Sequence, residues 1–256
     1  MTFPVLEGKV AIVTGSAMGM GEATAKLFAA AKAQVVVADF NEEKGQAVAE
    51  AINANGGQAA FVKVDVSNSE QVQAMVKFAV DTFGKLDVIV NNAALTPDDK
   101  PADSFDENYW NRLMAVDLKG VALCQKYALQ QMKAQGHGGS IINISSVSGF
   151  RPQPDTIAYV AAKHGVIGLT KVAAVENGQY NIRVNSVAPG AIDTPMLRGA
   201  IEQFGLNEET YAPQLSLLNR FGQPDEIAQA TLWLASDLSS YITGTVIHAD
   251  AGYTSR

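Results

Sequence analysis

Short apolar runs alternate with helical patterns along the chain, and this alternation constrains the fold more than any other feature. Continuous apolar runs such as Val10–Val13 are typical of strands that are covered on both faces. Strands that alternate with helices require right-handed crossover connections, which place successive strands parallel in one sheet. We therefore predict an α/β fold with a doubly wound parallel sheet of about seven strands and with helices on both faces.

The pattern gives bounds for each predicted element. The predicted strands are Lys9–Thr14, Gln34–Asp39, Ala59–Asp65, Leu86–Asn91, Ser140–Ser145, Ile182–Val187 and Thr245–His248. The predicted helices are Gly21–Ala31, Asn41–Asn55, Ser69–Phe83, a long stretch within Glu107–Gln135, Thr156–Asn177 and Pro224–Ala235. No linker divides the pattern, so we predict a single domain over residues 1–256. One region, Pro195–Asn219, has no strand character and interrupts the alternation.

Charge and cysteine content exclude several classes of protein. The formal net charge is -7 and no basic block is present, so nucleic acid and anionic membrane surfaces are not expected partners. Cys124 is the only cysteine and no signal peptide is apparent in Met1–Val10, which favours a reducing, cytoplasmic location. No apolar run approaches the roughly 18 residues that a membrane span needs. His137, His164 and His248 are scattered without metal-ligand spacing, so we predict no structural or catalytic metal.

A glycine-rich segment, Thr14–Gly21, directly follows the first predicted strand and opens the first predicted helix. Glycines at this junction permit a tight turn and a close approach of the backbone to a pyrophosphate. The helix N-terminus then offers N–H groups and the positive end of its dipole to the anion. Although the G-x-x-x-G-x-G spacing differs from the commoner G-x-G-x-x-G, the same physical reasons predict dinucleotide binding. The predicted contacts are Gly15, Ser16, Met18, Gly19, Met20 and Gly21.

Asp39, at the end of the second predicted strand, indicates which dinucleotide binds. A carboxylate at this position can accept hydrogen bonds from both adenosine ribose hydroxyls, and it would repel a 2′-phosphate. Phe40 and Asn41 follow, so no arginine is present there to bind such a phosphate. Asp39 could instead cap the following helix, but Asn41 is better placed to do so. We therefore predict NAD as the cofactor, with Asp39 and Phe40 in its binding site.

From Gly8 to nearly the C-terminus, the order and spacing of the motifs resemble those of the short-chain dehydrogenase/reductase family in its single-domain, NAD-dependent form. The motifs beyond the glycine-rich segment are Asp65-Val66, Asn91-Asn92-Ala93-Ala94, Asn143-Ile144-Ser145-Ser146, Tyr159-Val160-Ala161-Ala162-Lys163 and Pro189-Gly190-Ala191-Ile192-Asp193-Thr194. Ala94 replaces the usual glycine of N-N-A-G, which is a mild departure. The resemblance implies a Rossmann-type fold and hydride transfer between a nicotinamide and a carbinol or carbonyl carbon.

The resemblance also implies further cofactor contacts. Asp65 and Val66 would contact the adenine ring. Asn92 would stabilise the sheet and contact the cofactor ribose. The Ile192 backbone and the Thr194 hydroxyl would hold the nicotinamide carboxamide.

Tyr159 and Lys163 stand four residues apart, so they share one face of a helix, one turn from each other. A lysine ammonium held there favours the phenolate, which makes the tyrosine a usable proton donor or acceptor near neutral pH. The resemblance implies that Tyr159 exchanges the proton of the alcohol and that Lys163 also binds the nicotinamide ribose. Ser146, which the spacing to Tyr159 selects over Ser145, would donate a hydrogen bond to the same substrate oxygen.

Asp117 departs from the family pattern. Val116–Gly120 aligns with a family segment that usually reads V-N-L-x-G, in which the Asn holds a helix kink and a water that connects the lysine to solvent. An aspartate is nearly isosteric with asparagine and can accept a hydrogen bond, but it cannot donate one when it is ionised. We consider two hypotheses: a proton relay through Asp117 survives with an altered pH optimum, or Asp117 occupies the position structurally and another route carries protons.

Apolar residues indicate the substrate side of the site. Family members place a mobile lid after the P-G segment, and Pro195–Asn219 fits that position, although some of its apolar residues could simply pack on the domain. Phe150–Pro154, Leu95 and Thr96 are candidate pocket walls. We expect a small-molecule substrate, a secondary alcohol or ketone of moderate hydrophobicity such as a cyclic alcohol, a steroid or an aryl-alkyl ketone.

Other activities stay open. The same motifs suit a 3-oxoacyl carrier-protein reductase, although Asp39 and the lack of clustered arginine argue against NADP and an acidic carrier. A sugar dehydrogenase is open, and so is a catalytically silent NAD-binding regulator, although such proteins commonly lose the tyrosine or the lysine. Arg151 or Arg198 could bind an anionic substrate, but exposed surface arginine is the simpler interpretation. The resemblance also implies a homo-oligomer, commonly a tetramer formed through Glu107–Gln135 and Thr156–Asn177.

Overall fold

The computed structural model describes residues 4–255, and in this part of the chain seven parallel strands form one sheet. The strands are β1 (Val10–Thr14), β2 (Gln34–Asp39), β3 (Gln58–Lys63), β4 (Val88–Asn91), β5 (Gly139–Ile144), β6 (Ile182–Pro189) and β7 (Val246–Ala249). Their order across the sheet is β3-β2-β1-β4-β5-β6-β7, and each neighbouring pair is parallel. The predicted doubly wound parallel sheet is therefore confirmed.

Helices connect the strands and cover both faces of the sheet. They are α1 (Gly19–Ala30), α2 (Glu42–Ala54), α3 (Ser69–Phe83), α4 (Glu107–Met114), α5 (Val121–Gln135), α6 (Ile157–Asn177), α7 (Pro195–Phe204), α8 (Glu208–Leu215) and α9 (Pro224–Ala235). Side chains cap the N-termini of several helices: Asn41 accepts from the Lys44 N–H at α2, and Asn68 accepts from the Gln71 N–H at α3. Such caps satisfy N–H groups that have no partner within the helix.

The five inner strands, β1, β2, β4, β5 and β6, are buried on both faces because their side chains alternate between two helical layers. On β1, Ala11 and Val13 pack in one apolar cluster with Phe28 of α1. Val10 and Ile12 pack in the other cluster, which includes side chains of α3 and α5. Burial on both faces explains why the sequence of β1 is a continuous apolar run and does not alternate with polar residues.

The strand order reverses at β1, which lies between β2 and β4. At such a point the connections that leave neighbouring strands run to opposite faces, and a crevice opens beyond the carboxyl ends of the strands. Thr14, Asp39 and Asn91 end these three strands. The glycine-rich segment therefore lies at the position where open α/β sheets bind ligands.

The long helical stretch predicted within Glu107–Gln135 is interrupted in the structure. A π-helical turn, Ala115–Gly120, separates α4 from α5. Gly120 in this turn lies so close to Val66 that a Cβ atom on the glycine would come within 2.8 Å of Val66 Cγ2. Asp117 is also in this turn, and its side chain is fully buried. Single π-helical turns inside helices are often found at functional sites.

The region without strand character, Pro195–Asn219, contains two helices. Thr194 caps α7 by accepting from the Leu197 N–H, and Gly205 ends this helix with φ of 59°. Asn207 then caps α8 by accepting from the Thr210 N–H. The apolar residues at helical spacing in this region therefore lie on two short helices with ordinary local caps.

The remaining predicted strands and helices agree with the structure to within two residues at each end. Among residues 4–255, no helix is both long enough and apolar enough to cross a membrane. Within the same residues, no three or more His, Cys, Asp and Glu side chains are grouped so that they could hold a metal ion.

Candidate active site

The glycine-rich segment forms a tight turn at the carboxyl end of β1. Gly15 has φ of 64°, and a Cβ atom on it would lie 2.7 Å from Ala93 Cα. A Cβ atom on Gly21 would lie 2.1 Å from the Gly15 carbonyl oxygen, so neither position accepts a side chain. The Asn92 amide donates to the carbonyl oxygens of Thr14 and Gly15, each at 3.0 Å. The turn thus offers a bare backbone surface at the N-terminus of α1, which fits a dinucleotide pyrophosphate.

Side chains of the same turn lie in different environments. The Ser16 hydroxyl is fully buried; it donates to the Val13 carbonyl oxygen at 2.8 Å and accepts from the Ala38 N–H at 3.0 Å. Met18 is 39% exposed, whereas Met20 is partly buried against the core. The Ser16 side chain therefore holds the turn against β1 and β2, and a cofactor contact by Ser16 would use its main chain.

Asp39 lies between the glycine turn and the start of α2. Its Oδ2 accepts from the Ala17 N–H and its Oδ1 accepts from the Asn41 N–H, both at 2.8 Å. Asn41 caps α2 by accepting from the Lys44 N–H, as the sequence predicts. Phe40 is 71% exposed beside the carboxylate. The helix cap is thus made by Asn41, and the Asp39 charge is held against the glycine turn.

Asp65 and Val66 follow β3 and differ in what they can offer a ligand. Asp65 Oδ1 accepts from the N–H of Ser67 at 2.9 Å and from its hydroxyl at 2.7 Å. The Val66 side chain is buried in the apolar cluster that contains α3 and α5. An adenine contact by Val66 would therefore use its main chain.

The segment after β6 adjoins the glycine turn. Thr194 Cγ2 lies 3.5 Å from the position that a Cβ atom of Gly19 would occupy. The Thr194 hydroxyl donates to the Ile192 carbonyl oxygen at 3.2 Å and accepts from the Leu197 N–H at 3.4 Å. Ile192 is buried and pairs with Gly222 in an isolated bridge. The structure thus brings the P-G-x-I-x-T-like segment next to the predicted cofactor surface.

Two adjacent serines at the end of β5 have different partners. Ser145 Oγ donates to the Lys163 carbonyl oxygen at 3.0 Å. Ser146 Oγ accepts from the Ser148 N–H at 3.1 Å, which leaves its hydroxyl hydrogen available to a substrate. A Cβ atom on Gly149 would lie 2.8 Å from Ile167 Cδ1 and 3.0 Å from the Lys163 carbonyl oxygen, so this turn packs directly on α6. The geometry favours Ser146, the residue that the spacing selects.

Tyr159 and Lys163 lie one turn apart on α6, at the carboxyl edge of the sheet. Lys163 Nζ is 5.2 Å from the centroid of the Tyr159 ring. Lys163 is only 2% exposed, and its ammonium donates to the Ile144 carbonyl oxygen of β5 at 3.4 Å. The Tyr159 ring packs partly buried in the small apolar cluster that contains Leu113 of α4. The predicted pair is therefore assembled, with the lysine enclosed and the tyrosine at the edge of the interior.

Asp117 lies behind this pair and contacts the lysine directly. Its Oδ2 is 3.3 Å from Lys163 Nζ. Its Oδ1 accepts from the Leu95 N–H at 2.8 Å. The family resemblance predicts that a water held at this position connects the lysine to solvent. The sequence did not predict the direct ion pair.

Burial and mutual attraction change the pKa values of both charged groups. Burial raises the pKa of Asp117 above its ordinary value, and the Lys163 ammonium opposes this shift only in part. Burial is the largest single influence on the pKa of Lys163 and by itself would lower it, but the interactions with Asp117 and Tyr159 together outweigh burial and raise the pKa of the lysine. Lys163 therefore holds its proton firmly, whereas Asp117 is protonated more easily than an ordinary carboxyl group.

Comparisons with known proteins identify the family of this chain. A family model described as enoyl-(acyl carrier protein) reductase matches residues 15–254. A relative from Aspergillus oryzae named short chain dehydrogenase/reductase astE is 52% identical over 248 residues, which cover 96% of this chain and 95% of that protein. The chain belongs to the short-chain dehydrogenase/reductase family.

Other members of this family are similar over almost their whole length. Cyclohexanol dehydrogenase of Acinetobacter sp. (strain SE19) is 40% identical, over 97% of this chain and 96% of that protein. The crystal structure of levodione reductase superposes with a TM-score of 0.93 at 35% identity, and the match covers 98% of this chain and 99% of that chain. The fold and the oxidoreductase class of this chain follow from these similarities.

The two arginines that could have bound an anionic substrate are engaged elsewhere in this family member. Arg198 pairs with Asp193 through two contacts at 2.6 and 2.7 Å, and it also pairs with Glu208. Arg151 donates to the Tyr253 carbonyl oxygen at 3.0 Å, and its guanidinium lies 4.8 Å from the centroid of that ring. These contacts favour the simpler interpretation, in which neither arginine serves as a cation for the substrate.

The segment Asn92–Lys100, which we name the crossing segment, contributes a contact that motif matching missed. It leaves β4, and its Asp98 carboxylate accepts from the N–H of Tyr159, 61 residues away. No local signal distinguishes Asp98 from the adjacent Asp99, because the partner is distant in sequence. Only the folded structure shows which carboxylate reaches α6.

Proposed function

We propose that this short-chain dehydrogenase/reductase transfers a hydride between NAD(H) and a secondary alcohol or ketone of moderate hydrophobicity. The observation that carries the proposal is the arrangement of Tyr159, Lys163 and Ser146. Lys163 Nζ lies 5.2 Å from the centroid of the Tyr159 ring, and the Ser146 oxygen accepts from a main-chain N–H, which leaves its hydroxyl hydrogen free to donate. A proton-exchanging hydroxyl, a buried cation and a hydrogen-bond donor are groups that alcohol oxidation uses at the reacting oxygen.

In the proposed mechanism, Tyr159 is the general base of oxidation and the general acid of reduction. Its phenolate oxygen accepts the proton of the substrate alcohol, or its hydroxyl gives a proton to the developing alkoxide in the reverse direction. Ser146 donates a hydrogen bond to the same oxygen, which holds that oxygen and stabilises its negative charge. The Lys163 ammonium stabilises the phenolate form of Tyr159 between these steps.

The family typically binds a nicotinamide cofactor, which when bound supplies the hydride acceptor or donor. In the proposal, the glycine turn Gly15–Gly21 holds the pyrophosphate and Asp39 holds the adenosine ribose. The Ile192 main chain and the Thr194 hydroxyl hold the carboxamide. The closeness of Thr194 to the position of a Gly19 Cβ atom supports a single continuous surface for these contacts.

We also propose that Asp117 takes part in the proton relay behind Lys163. The 3.3 Å contact between Asp117 Oδ2 and Lys163 Nζ places the carboxyl group directly beside the lysine, which supports a role of Asp117 in the relay. Because burial raises the pKa of Asp117, its carboxyl group is better suited to hold a proton than an exposed aspartate is.

Asp39→Asn is expected to lower kcat/KM for NAD by about 10–100-fold and to reduce the preference for NAD over NADP. Asparagine keeps one acceptor oxygen and the side-chain volume. It lacks the negative charge and the second acceptor oxygen with which the carboxylate would bind the ribose hydroxyls. Hydrogen bonds to charged groups contribute about 1.5–3 kcal/mol, which corresponds to this loss. Steady-state kinetics with each cofactor at a constant alcohol concentration measure the effect.

Glu43→Gln is the matched control for this experiment. Glu43 is an exposed carboxylate in the first turn of α2, near the same end of the sheet. Its neutralisation should leave kcat/KM for both cofactors unchanged. Wild-type preference for NADP, or an Asp39→Asn enzyme with unchanged use of NAD, would contradict the assignment of Asp39.

Apolar side chains on Pro195–Asn219 support a substrate of moderate hydrophobicity, and we propose this segment as the lid. Met196, Phe204, Leu217 and Leu218 are exposed. Closure of the segment over a substrate would cover such side chains and exclude water from the reacting groups. Similarity to a cyclohexanol dehydrogenase supports a cyclic secondary alcohol as the substrate class.

A substrate panel tests the proposed activity. NADH absorbance is followed with cyclohexanol, 4-hydroxycyclohexanecarboxylate, an aryl-alkyl carbinol, a steroid alcohol and a sugar alcohol, and NADH oxidation with a 3-oxoacyl thioester. We expect the highest kcat/KM with a neutral cyclic or aryl-alkyl alcohol. Preference for the sugar alcohol or the thioester would contradict the substrate class. No turnover, together with intact NADH binding, would favour a catalytically silent regulator.

The homotetramer and the cytoplasmic location stay predictions. On the outer face of α6, Val172 is 57% exposed and Val175 is 85% exposed. An apolar helix surface of this kind is available to pack against a second copy of the chain.

A further inference from the structure

The helix that carries Tyr159 begins without a side-chain cap of its own. The residue before α6 is Thr156, whose side chain accepts from no N–H of the first turn in the part of the chain that the structure describes. Its hydroxyl instead donates to the Gln153 carbonyl oxygen at 2.9 Å. Because first-turn N–H groups have no partner within a helix, they need acceptors from elsewhere. The main-chain N–H of Tyr159 is one of these groups, because Tyr159 lies in the first turn of α6.

Asp98 supplies both missing acceptors from a distant part of the sequence. Its Oδ2 accepts from the Ala158 N–H at 2.9 Å, and its Oδ1 accepts from the Tyr159 N–H at 3.0 Å. These two N–H groups are the ones that a local capping side chain would satisfy. A carboxylate here also meets the positive end of the helix dipole. Asp98 therefore holds the main chain of the residue that we propose exchanges the proton.

The crossing segment that carries Asp98 is itself held at several points around the site. The contacts are Asn92 with the carbonyl oxygens of Thr14 and Gly15, Leu95 with Asp117, Lys100 with Thr156, and Asp99 with Gln203 of α7. The segment therefore joins the glycine turn, the buried acid, the start of α6 and the proposed lid. Asp98 is the point at which this segment holds the N–H of Tyr159.

We propose that Asp98 is a positioning residue, whose carboxylate joins the crossing segment to the first turn of α6 and so places the Tyr159 hydroxyl relative to Ser146. The proposal rests on the proposed function, because proton exchange at Tyr159 is the step that needs this placement. A displacement of a reacting group by about 1 Å can lower a rate by about 10²-fold. Asp98 bonds to main-chain N–H groups of α6, so its loss should change kcat and leave the cofactor surface intact.

Asp98→Ala is expected to lower kcat by about 10–100-fold while KM for NAD stays unchanged. Asp98→Asn keeps one acceptor oxygen, so it should lose less activity. The solvent deuterium isotope effect on kcat should increase in Asp98→Ala, because proton transfer to Tyr159 becomes slower relative to the other steps. If the variant were only partly folded, its apparent kcat would fall in proportion to the fraction of protein that binds NADH. The isotope effect would then stay unchanged.

Asp103→Asn is the matched control. Asp103 is exposed in the loop that follows the crossing segment, and it accepts from the neighbouring Ser104 hydroxyl. This variant should keep the wild-type kcat and isotope effect. Amide hydrogen exchange of the peptides that cover 92–103 and 156–161 provides a second readout, which needs no turnover. Exchange should become faster in both peptides for Asp98→Ala and stay unchanged for the control.

Three results would overturn the proposal for Asp98. They are an unchanged kcat in folded Asp98→Ala, a lower kcat with an unchanged isotope effect, and unchanged exchange in the two peptides. A wild-type protein that turns over no member of the substrate panel would instead contradict the proposed function. In that case amide exchange decides by itself whether Asp98 ties the crossing segment to α6.

Discussion

Tyr159→Phe is expected to lower kcat by about 10²–10⁴-fold while the affinity for NADH stays unchanged. Phenylalanine keeps the ring that packs in the apolar cluster with Leu113, so the start of α6 should fold as before. The substitution removes only the hydroxyl that we propose exchanges the proton of the substrate. Steady-state kcat at saturating cofactor and alcohol measures the loss, and fluorescence titration with NADH verifies that the binding surface is intact.

Tyr180→Phe is a close control for this substitution. Tyr180 also lies near a lysine ammonium, with Lys133 Nζ 4.6 Å from its ring centroid, but it follows α6 at the other end of that helix. Removal of its hydroxyl should leave kcat unchanged. Near-normal turnover by Tyr159→Phe would refute the role of Tyr159, and an equal loss in both variants would indicate a general effect on folding.

The backbone geometry of the proposed cofactor half of the site could be predicted from sequence because its determinants are local. Gly15 and Gly21 are required within one strand–turn–helix junction, where one glycine has a positive φ and the other leaves no space for a Cβ atom. Asp39 ends the neighbouring strand, and Asn41 is the obvious cap of the next helix. The burial of the Ser16 side chain was not apparent, because its partners lie on two different strands.

The catalytic half could be predicted only in part. Helical spacing places Lys163 one turn after Tyr159, and the distance along the chain selects Ser146. The direct contact of Lys163 with Asp117 could not be predicted, because Asp117 lies in a π-helical turn inside a stretch whose apolar pattern indicates a continuous helix. Asp98 was missed for a related reason, since its hydrogen bonds join residues 60 and 61 positions apart.

Asp117→Ala is expected to lower the free energy of unfolding by about 3–5 kcal/mol near neutral pH. The substitution leaves the Lys163 ammonium buried without the carboxylate that lies 3.3 Å from it. It also removes the acceptor of the Leu95 N–H. Urea denaturation, with the midpoint and slope fitted together, measures the change.

Asp117→Asn separates the charge from the other losses. Asparagine keeps the volume of the side chain and an oxygen that can accept from the Leu95 N–H. The decrease in its free energy of unfolding relative to the wild type therefore reports the missing charge. The further loss in Asp117→Ala then reports the hydrogen bond and the cavity, of which the hydrogen bond contributes about 1 kcal/mol. If Asp117→Asn and the wild type were equally stable near neutral pH, the ion pair would contribute nothing to the fold.

The pH dependence of these stabilities gives the sharpest test of the pair. In the wild type, the raised pKa of Lys163 contributes stability that is fully present below the ordinary pKa of lysine and is lost as the pH rises through the raised value. In either variant, the Asp117 charge is absent and burial lowers the pKa of Lys163. The lysine therefore releases its proton at a lower pH than in the wild type, and the cost of burying its charge falls as it becomes neutral. The deficit relative to the wild type should therefore be largest near about pH 7 and narrow toward about pH 10. A deficit that widens toward alkaline pH would contradict the ion pair, and an unchanged pH–rate profile of Asp117→Asn would exclude Asp117 from the proton relay.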